Sequence, residues 1–401
     1  MEIALTPEGM AFALHRHVLE PWFPRCLDTE HGGFLCDFDS RWRPAGPQVK
    51  MLEFQARQTR VAALAARLDP AERAWRDACR RGFDALSERL WDHEHGGWFI
   101  VADRAWTPLD PDVKHLHGMA YAAQACLEVA DCLDEPRALD LAREAMTWID
   151  DHAWDAEHGL YWGWLRRDGT PIGLDPDSAP TRLDHVGAPA GTKDINTNGD
   201  MLEMLTEAGR RGLGSADRLA RLVAEFTRWP AEHGRLPLHF TRDLVPVRGP
   251  GVGYEVQASW RVPLARAVLG EPLAFGPTER TLRAGTLASL GPTGGILGHT
   301  GDEEWWIQFE LLRSLAFEAS LDPEGGDAPR AAAADHLGYL RRRFLDERHP
   351  GVRRTPRRLL GREAKGDRWK DASHEAVAFA AAAICLQPRG RPMTIADGPW
   401  P

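Results

Sequence analysis

One phrase returns six times along this 401-residue chain: a charged or polar run closed by a glycine turn, often with a histidine just before the glycine. It reads Asp28-Thr29-Glu30-His31-Gly32-Gly33-Phe34, then Trp91-Asp92-His93-Glu94-His95-Gly96-Gly97-Trp98, then Trp154-Asp155-Ala156-Glu157-His158-Gly159-Leu160-Tyr161. Weaker copies are Ala231-Glu232-His233-Gly234-Arg235-Leu236, Gly291-Pro292-Thr293-Gly294-Gly295-Ile296 and Asp346-Glu347-Arg348-His349-Pro350-Gly351-Val352. His31 and His95 are 64 residues apart, His95 and His158 are 63 apart, and His349 follows 191 residues later, close to three more periods. Glycine after a charged run is also simply how helices stop. The regular spacing argues instead for one structural unit in six copies.

A period near 64 fits two helices of ordinary length plus a short and a long connection. Residues 55–68 and 120–130 are alanine-rich with apolar residues at helical spacing, which predicts helices there. Six such pairs closed into a ring make an all-α (α/α)6 barrel of helical hairpins, with one glycine turn per unit on the same rim. No linker rich in glycine and serine divides the chain, so residues 1–401 are read as one domain, a length that closed barrels reach.

The net charge of −10 speaks against nucleic acid or an acidic membrane as partner. No apolar run approaches the ~20 residues that span a bilayer, and Met1-Glu2-Ile3-Ala4-Leu5-Thr6 lacks a basic region before an apolar one. The expectation is a cytoplasmic monomer or homodimer without cofactor. The six cysteines form no CxxC pair, so no zinc knuckle or disulfide framework is signalled and reduced thiols are expected. His115-Leu116-His117 is a weak half-site for a metal, and none is predicted. Sixteen tryptophans against four tyrosines is an unusual balance. Indole rings stack on sugar faces while the N–H bonds hydroxyls, although a large helical ring also needs bulky core residues. In Trp305-Trp306 the two side chains point about 100° apart on a helix, so one can pack while the other faces a cavity.

Several segments carry a resemblance. Glu53-Phe54-Gln55-Ala56-Arg57-Gln58, Glu303-Glu304-Trp305-Trp306-Ile307-Gln308-Phe309-Glu310 and Lys365-Gly366-Asp367-Arg368-Trp369-Lys370-Asp371-Ala372-Ser373-His374 resemble runs of the N-acylglucosamine 2-epimerase superfamily. Asn196-Thr197-Asn198-Gly199-Asp200-Met201-Leu202-Glu203 is more loosely similar. The resemblance implies an α/α six-hairpin barrel with a sugar pocket at its mouth, and aldose–ketose isomerase or 2-epimerase activity on a small sugar. It places His374 as general base, with Glu203 orienting hydroxyls or assisting proton movement. It makes Arg57 the group that polarises substrate oxygens, and puts Asn196, Asp200, Gln257, Trp305, Trp306, Glu310, Trp369 and Lys370 around the substrate.

Isomerising an aldose or inverting C2 removes a weakly acidic proton beside the carbonyl, a task for a base that titrates near neutrality, and histidine fits. The enediolate formed needs hydrogen-bond donors in a dry pocket. A histidine at a helix start is also, and more often, a cap, and Arg57 next to Arg60 also fits a surface pair. The chain also departs from the family run G-H-x-x-E-x-x-W, reading Gly253-Tyr254-Glu255-Val256-Gln257-Ala258-Ser259-Trp260. A phenol near pKa 10 is a poor base at neutrality, so Tyr254 is expected to act as an acid, as a shifted base or as a hydroxyl-binding group. One remaining base favours isomerisation over epimerisation.

Two other functions stay open. Glycoside hydrolases and lyases share such barrels, and Asp194, Asp200, Glu203, Glu255 and Glu310 are candidate carboxylates. A sugar-binding protein that has lost catalysis is the third reading. Residues 166–180, rich in proline, glycine and aspartate, read as a long loop that narrows the pocket mouth.

Overall fold

The computed structural model describes residues 3–172, 192–321, 327–356, 363–388 and 393. Among these, twelve helices alternate between two layers. The outer layer comprises α1 (Pro7–Leu14, continued by a π turn at His15–Leu19), α3 (Arg73–Asp84, continued by Ala85–Leu90), α5 (Pro136–Ala153), α7 (Ala216–His233), α9 (Pro277–Leu287) and α11 (Asp327–Arg343). The inner layer comprises α2 (Leu52–Leu68), α4 (Leu116–Leu133), α6 (Ile195–Arg210), α8 (Val252–Val268), α10 (Trp305–Leu321) and α12 (Ser373–Cys385). Each inner helix packs on the next, and α12 returns to α2, so the ring closes. The architecture expected from the repeat, an (α/α)6 barrel of six hairpins, is the one observed.

The two layers explain the two kinds of helix sequence. An inner helix has neighbours on both sides and an outer helix behind it, so nearly its whole surface is covered: every residue from Leu52 to Ala66 is buried. Alanine serves there because it allows close approach and costs no side-chain entropy. An outer helix buries one stripe, as α7 does with Leu219, Leu222, Val223, Phe226 and Trp229. No described helix is long and apolar enough to cross a membrane.

The repeated phrase is a capped turn between an outer helix and the next inner one. Asp28 Oδ1 accepts the backbone N–H groups of Glu30 and His31, and Asp92, Asp155 and Asp346 do the same two and three residues on. The other oxygen takes a buried lysine from the strand or loop that follows: Lys50 on Asp28 at 2.8 Å, Lys114 on Asp92 at 2.9 Å, Lys193 on Asp155 at 2.9 Å and Lys365 on Asp346 at 2.8 Å. Gly96 and Gly97 have φ of +71° and +68°, a left-handed pair that other residues adopt only under strain. The turn's edges are joined by antiparallel bridges such as Leu27 to Phe34 and Trp91 to Trp98. The inner helix then grips the turn with a side-chain amide. Gln55 bonds both the N–H and C=O of Phe34, Asn198 those of Tyr161, and Gln308 those of Ile296.

The turns at Gly234 and Gly291 lack the aspartate. Arg235 ion-pairs with Glu255 at the first, and Glu303 bonds Thr293 at the second. The expected long loop begins as a β-hairpin instead, with Trp164–Arg166 paired to Val113–His115 and Leu165 bridged to Pro171, because Asp168 and Gly169 close a tight turn. Residues 173–180 of that loop lie outside the described residues.

Candidate active site

The N-terminal ends of the inner helices meet around one cavity of about 240 Å³. Six helix starts around one space direct the positive ends of their dipoles toward it. Arg57 of α2, Asn196 of α6, Tyr254 and Gln257 of α8, Trp305 and Trp306 of α10, Trp369 and His374 line it.

His374 stands at the start of α12 with Nδ1 2.8 Å from Glu310 Oε1. With the Nδ1 proton donated to that carboxylate, Nε2 carries the lone pair available to the cavity. Glu310 also accepts Trp260 Nε1 at 2.9 Å and Gln257 Nε2 at 3.4 Å. Burial works against its charge, but the hydrogen bond and charge of His374, with Arg313 and Arg261, hold its carboxyl down at about 2. Glu310 therefore touches His374 rather than the cavity.

The two tryptophans divide as helical geometry requires. Trp305 is 3% exposed and donates Nε1–H to Glu375 at 3.1 Å, while Trp306 is half-buried, its ring 5.9 Å from His374 and 5.3 Å from Tyr254. Gly253 makes this possible, since a Cβ there would overlap the Trp306 ring. Lys370 lies beneath, with Nζ 2.6 Å from Glu375 and 4.9 Å from the Trp305 ring centroid, and does not line the cavity.

Arg57 presents a fixed charge. Burial opposes it, but Glu53 at 2.5 Å and Asp371 at 3.4 Å hold its pKa far above the usual value, and the guanidinium lies 4.1 Å from the Tyr121 ring centroid. Glu53 in turn sits 2.8 Å from His117 Nε2, and His117 Nδ1 bonds Asp200. Burial disfavours the imidazolium, yet the two carboxylates raise His117 to about 10. Both ring nitrogens are thus committed to carboxylates, and His115 stacks on Trp164 at 4.3 Å.

Asp200 and Glu203 lie deeper on α6. Glu203 is seven residues beyond Asn196, about 10 Å further along the helix at 1.5 Å per residue. It is held by Arg261 at 2.6 Å and Arg60 at 3.2 Å. Of the residues expected around the substrate, Glu203, Asp200, Glu310 and Lys370 are not among those lining the cavity; each is buried and paired with a neighbour. The remaining hydrolase candidates are similarly engaged, Asp194 capping α6 through Thr197 N–H at 2.6 Å and Glu255 held by Arg235 and the N–H of Leu236.

Sequence reasoning missed Tyr121, His299, Thr300, Glu304 and Arg354, all of which line the cavity, and gave Glu53 no role. Two signals were present: Tyr121 is one of four tyrosines, set in an alanine-rich helix, and His299 stands between Gly298 and Gly301.

Fold and site together define a class: an (α/α)6 barrel with a polar, aromatic-walled pocket at the N-termini of its inner helices. Residues 32–177 match the N-acylglucosamine 2-epimerase (GlcNAc 2-epimerase) family. The fold is similar to that of cellobiose 2-epimerase from Spirochaeta thermophila, with a TM-score of 0.81 and 23% identity over 95% of this chain and 96% of that one. It is similar to a D-mannose isomerase at TM-score 0.77 and 17% identity, covering 94% and 96% of the two chains. Unsaturated glucuronyl hydrolase from Bacillus sp. GL1 is more distant, at TM-score 0.60 and 14% identity over 93% and 95%. The family match spans residues 32–177, and the likeness to these solved structures shows a shared fold.

Proposed function

We propose that the protein is a sugar aldose–ketose isomerase or 2-epimerase, and that His374 is the base that takes the proton from the carbon beside the carbonyl. The observation that carries this reading is the His374–Glu310 pair at the cavity wall, which fixes the tautomer and leaves Nε2 for the substrate. When Nε2 takes the C2 proton, the electron pair moves into a C1–C2 double bond and charge collects on oxygen as an enediolate. Arg57 and the helix N-termini stabilise that charge without reorganising. Transfer of the hydroxyl proton from O2 to O1 and return of the carbon proton to C1 then give the ketose, with C2 as the new carbonyl.

A free sugar fits the walls. Trp306, Tyr254 and Trp369 offer aromatic faces, and Asn196 and Gln257 offer amides for hydroxyls. A volume of about 240 Å³ lies just below the roughly 300–1,000 Å³ usual for small-molecule pockets. That size favours one sugar ring in the reacting position.

The test is incubation of purified protein with D-glucose, D-mannose, D-fructose, N-acetylglucosamine and cellobiose in heavy water, followed by proton NMR. Deuterium entering C2 of an aldose or C1 of a ketose is the expected outcome. Absence of carbon-bound exchange with all five sugars would overturn the reading.

A further inference from the structure

Tyr254 stands where the family run has a histidine, so the pocket lacks a second imidazole on α8. It has one from elsewhere. His299 lines the same cavity but comes from the loop between α9 and α10. We infer that His299 is a second proton-transfer group of this pocket, serving carbon from the side that His374 does not reach; the inference rests on the proposed function.

The placement is built. Gly301 N–H bonds Gly298 O at 3.0 Å and Gly298 N–H bonds Asp302 O at 2.8 Å, closing a tight turn with His299 and Thr300 as its two central residues. Gly301 has φ of +82°, and a Cβ on Gly298 would come within 3.1 Å of Glu304 Oε2 and 3.2 Å of Ile307 Cδ1. The turn is therefore packed directly on the start of α10, the helix whose Trp306 faces the reacting space. Thr300 is exposed and His299 half-buried, which sets the imidazole at the mouth of the cavity.

Its surroundings differ from those of His117, His336 and His374. His117 is clamped by Glu53 and Asp200, His336 is bonded to Gln308 O at 2.7 Å, and His374 is fixed by Glu310. The charged groups Arg57, Glu53 and Arg354 on the cavity wall are also paired, Arg354 with Asp367. His299 has no hydrogen bond or ion pair among the described residues. An imidazole without a protein partner in a polar pocket has both ring nitrogens available to substrate and water.

The step balances. His374 Nε2 takes the C2 proton and the C2–H pair moves into the enediolate. His299, entering as the imidazolium, then delivers its Nε2 or Nδ1 proton to C2 from the other face as the carbonyl re-forms, giving the C2 epimer. The pair ends with His374 protonated and His299 neutral, and exchange with water restores the starting state; the reverse reaction uses the same groups in exchanged roles.

The experiment compares wild type, His299→Gln and Tyr254→Phe on the same five sugars in heavy water, reading C2 epimer and ketose separately at early conversion. His299→Gln is expected to lower epimer formation by about 10² to 10⁴ while aldose–ketose exchange stays within about tenfold, and Tyr254→Phe is expected to raise KM several-fold without shifting the epimer-to-ketose ratio. Equal loss of both products in His299→Gln, an unchanged epimer rate, or wild type giving ketose alone would overturn the role of His299 and leave the isomerase reading standing. No exchange in wild type would instead overturn the proposed function, and this inference with it. Melting curves of both variants verify that the fold is kept.

Discussion

His374 Nδ1 and Glu310 Oε1 lie 2.8 Å apart, joining the starts of two neighbouring inner helices, α12 and α10. The carboxylate decides which nitrogen of the ring is basic. His374→Ala is expected to lower carbon–proton exchange by about 10² to 10⁴. Glu310→Gln keeps the shape but lets an amide offer N–H instead of accepting it, so the wrong tautomer becomes accessible. The expected result is a fall in kcat of about 10²-fold with KM nearly unchanged, measured by NMR initial rates. A Glu310→Gln enzyme with wild-type kcat would show that the pair does not set the tautomer.

His117 gives the fold a dependence on alkaline pH. Burial disfavours its charge, but Glu53 and Asp200 raise it to about 10, against about 6.5 when unfolded. A raised folded value means that stabilisation is complete below about pH 6.5 and is lost as pH rises towards 10. The buried lysines Lys50, Lys114 and Lys193, and Lys365 at about 8, are lowered by burial and act with the opposite sign. The informative quantity is thus the difference between wild type and His117→Gln. The wild-type melting temperature should fall more steeply from pH 7 to 10 than that of the variant; parallel profiles would mean that His117 is neutral in the fold.

The ring was legible because each unit keeps its turn chemistry, and the period survives even where the aspartate is lost. What periodicity left hidden was the use of each conserved-looking side chain. Gln55 and Gln308 sit in the runs that resemble the family, yet they grip backbone in the turns. The repeated histidines look chemical but lie in turns; His31 and His95 serve through their backbone carbonyls, which accept Trp106 and Trp148 N–H. Glu203 and Asp200 lie on the same helix as Asn196, and only depth along the barrel axis separates structure from pocket. His299 lay in an irregular loop, where no period points to a direction.

The turns should matter for stability more than their exposure suggests. Lys114 Nζ is 2.9 Å from Asp92 Oδ2 and donates to Gly96 O at 2.6 Å in the same turn. Lys114→Met keeps most of the volume and removes the charge, leaving Asp92 with Arg167 on its outer side at 2.8 Å. Breaking one partner of a buried pair costs about 3–5 kcal/mol, and the remaining arginine places the expectation near the lower end. Urea unfolding measures it, and a loss under about 1 kcal/mol would show that the lysine is dispensable to the turn.

Gly253 is required by close approach rather than by backbone conformation. Gly253→Ala would drive a Cβ into the Trp306 ring and turn that ring into the cavity. The expected signature is a KM raised by about tenfold with a small change in melting temperature. If KM is unchanged, Trp306 does not form part of the sugar surface.

Tyr254 is where the binding and proton-transfer roles separate most cleanly. Its ring lies 5.3 Å from that of Trp306, and it lines the cavity from α8, while His374 enters from α12. A phenol that titrates near 10 transfers few protons to carbon at neutral pH, so Tyr254→Phe should remove a hydroxyl contact, raising KM several-fold and leaving the epimer-to-ketose ratio close to wild type. Tyr254→His would add an imidazole where the family run has one, and is expected to raise that ratio by supplying an additional proton donor near C2. The measurement is the product ratio at early conversion for wild type and both variants. If Tyr254→Phe instead abolishes the epimer and spares the ketose, the tyrosine itself carries the second proton, and its hydroxyl must then be activated by the charge of Arg57 and the helix N-termini around the same cavity.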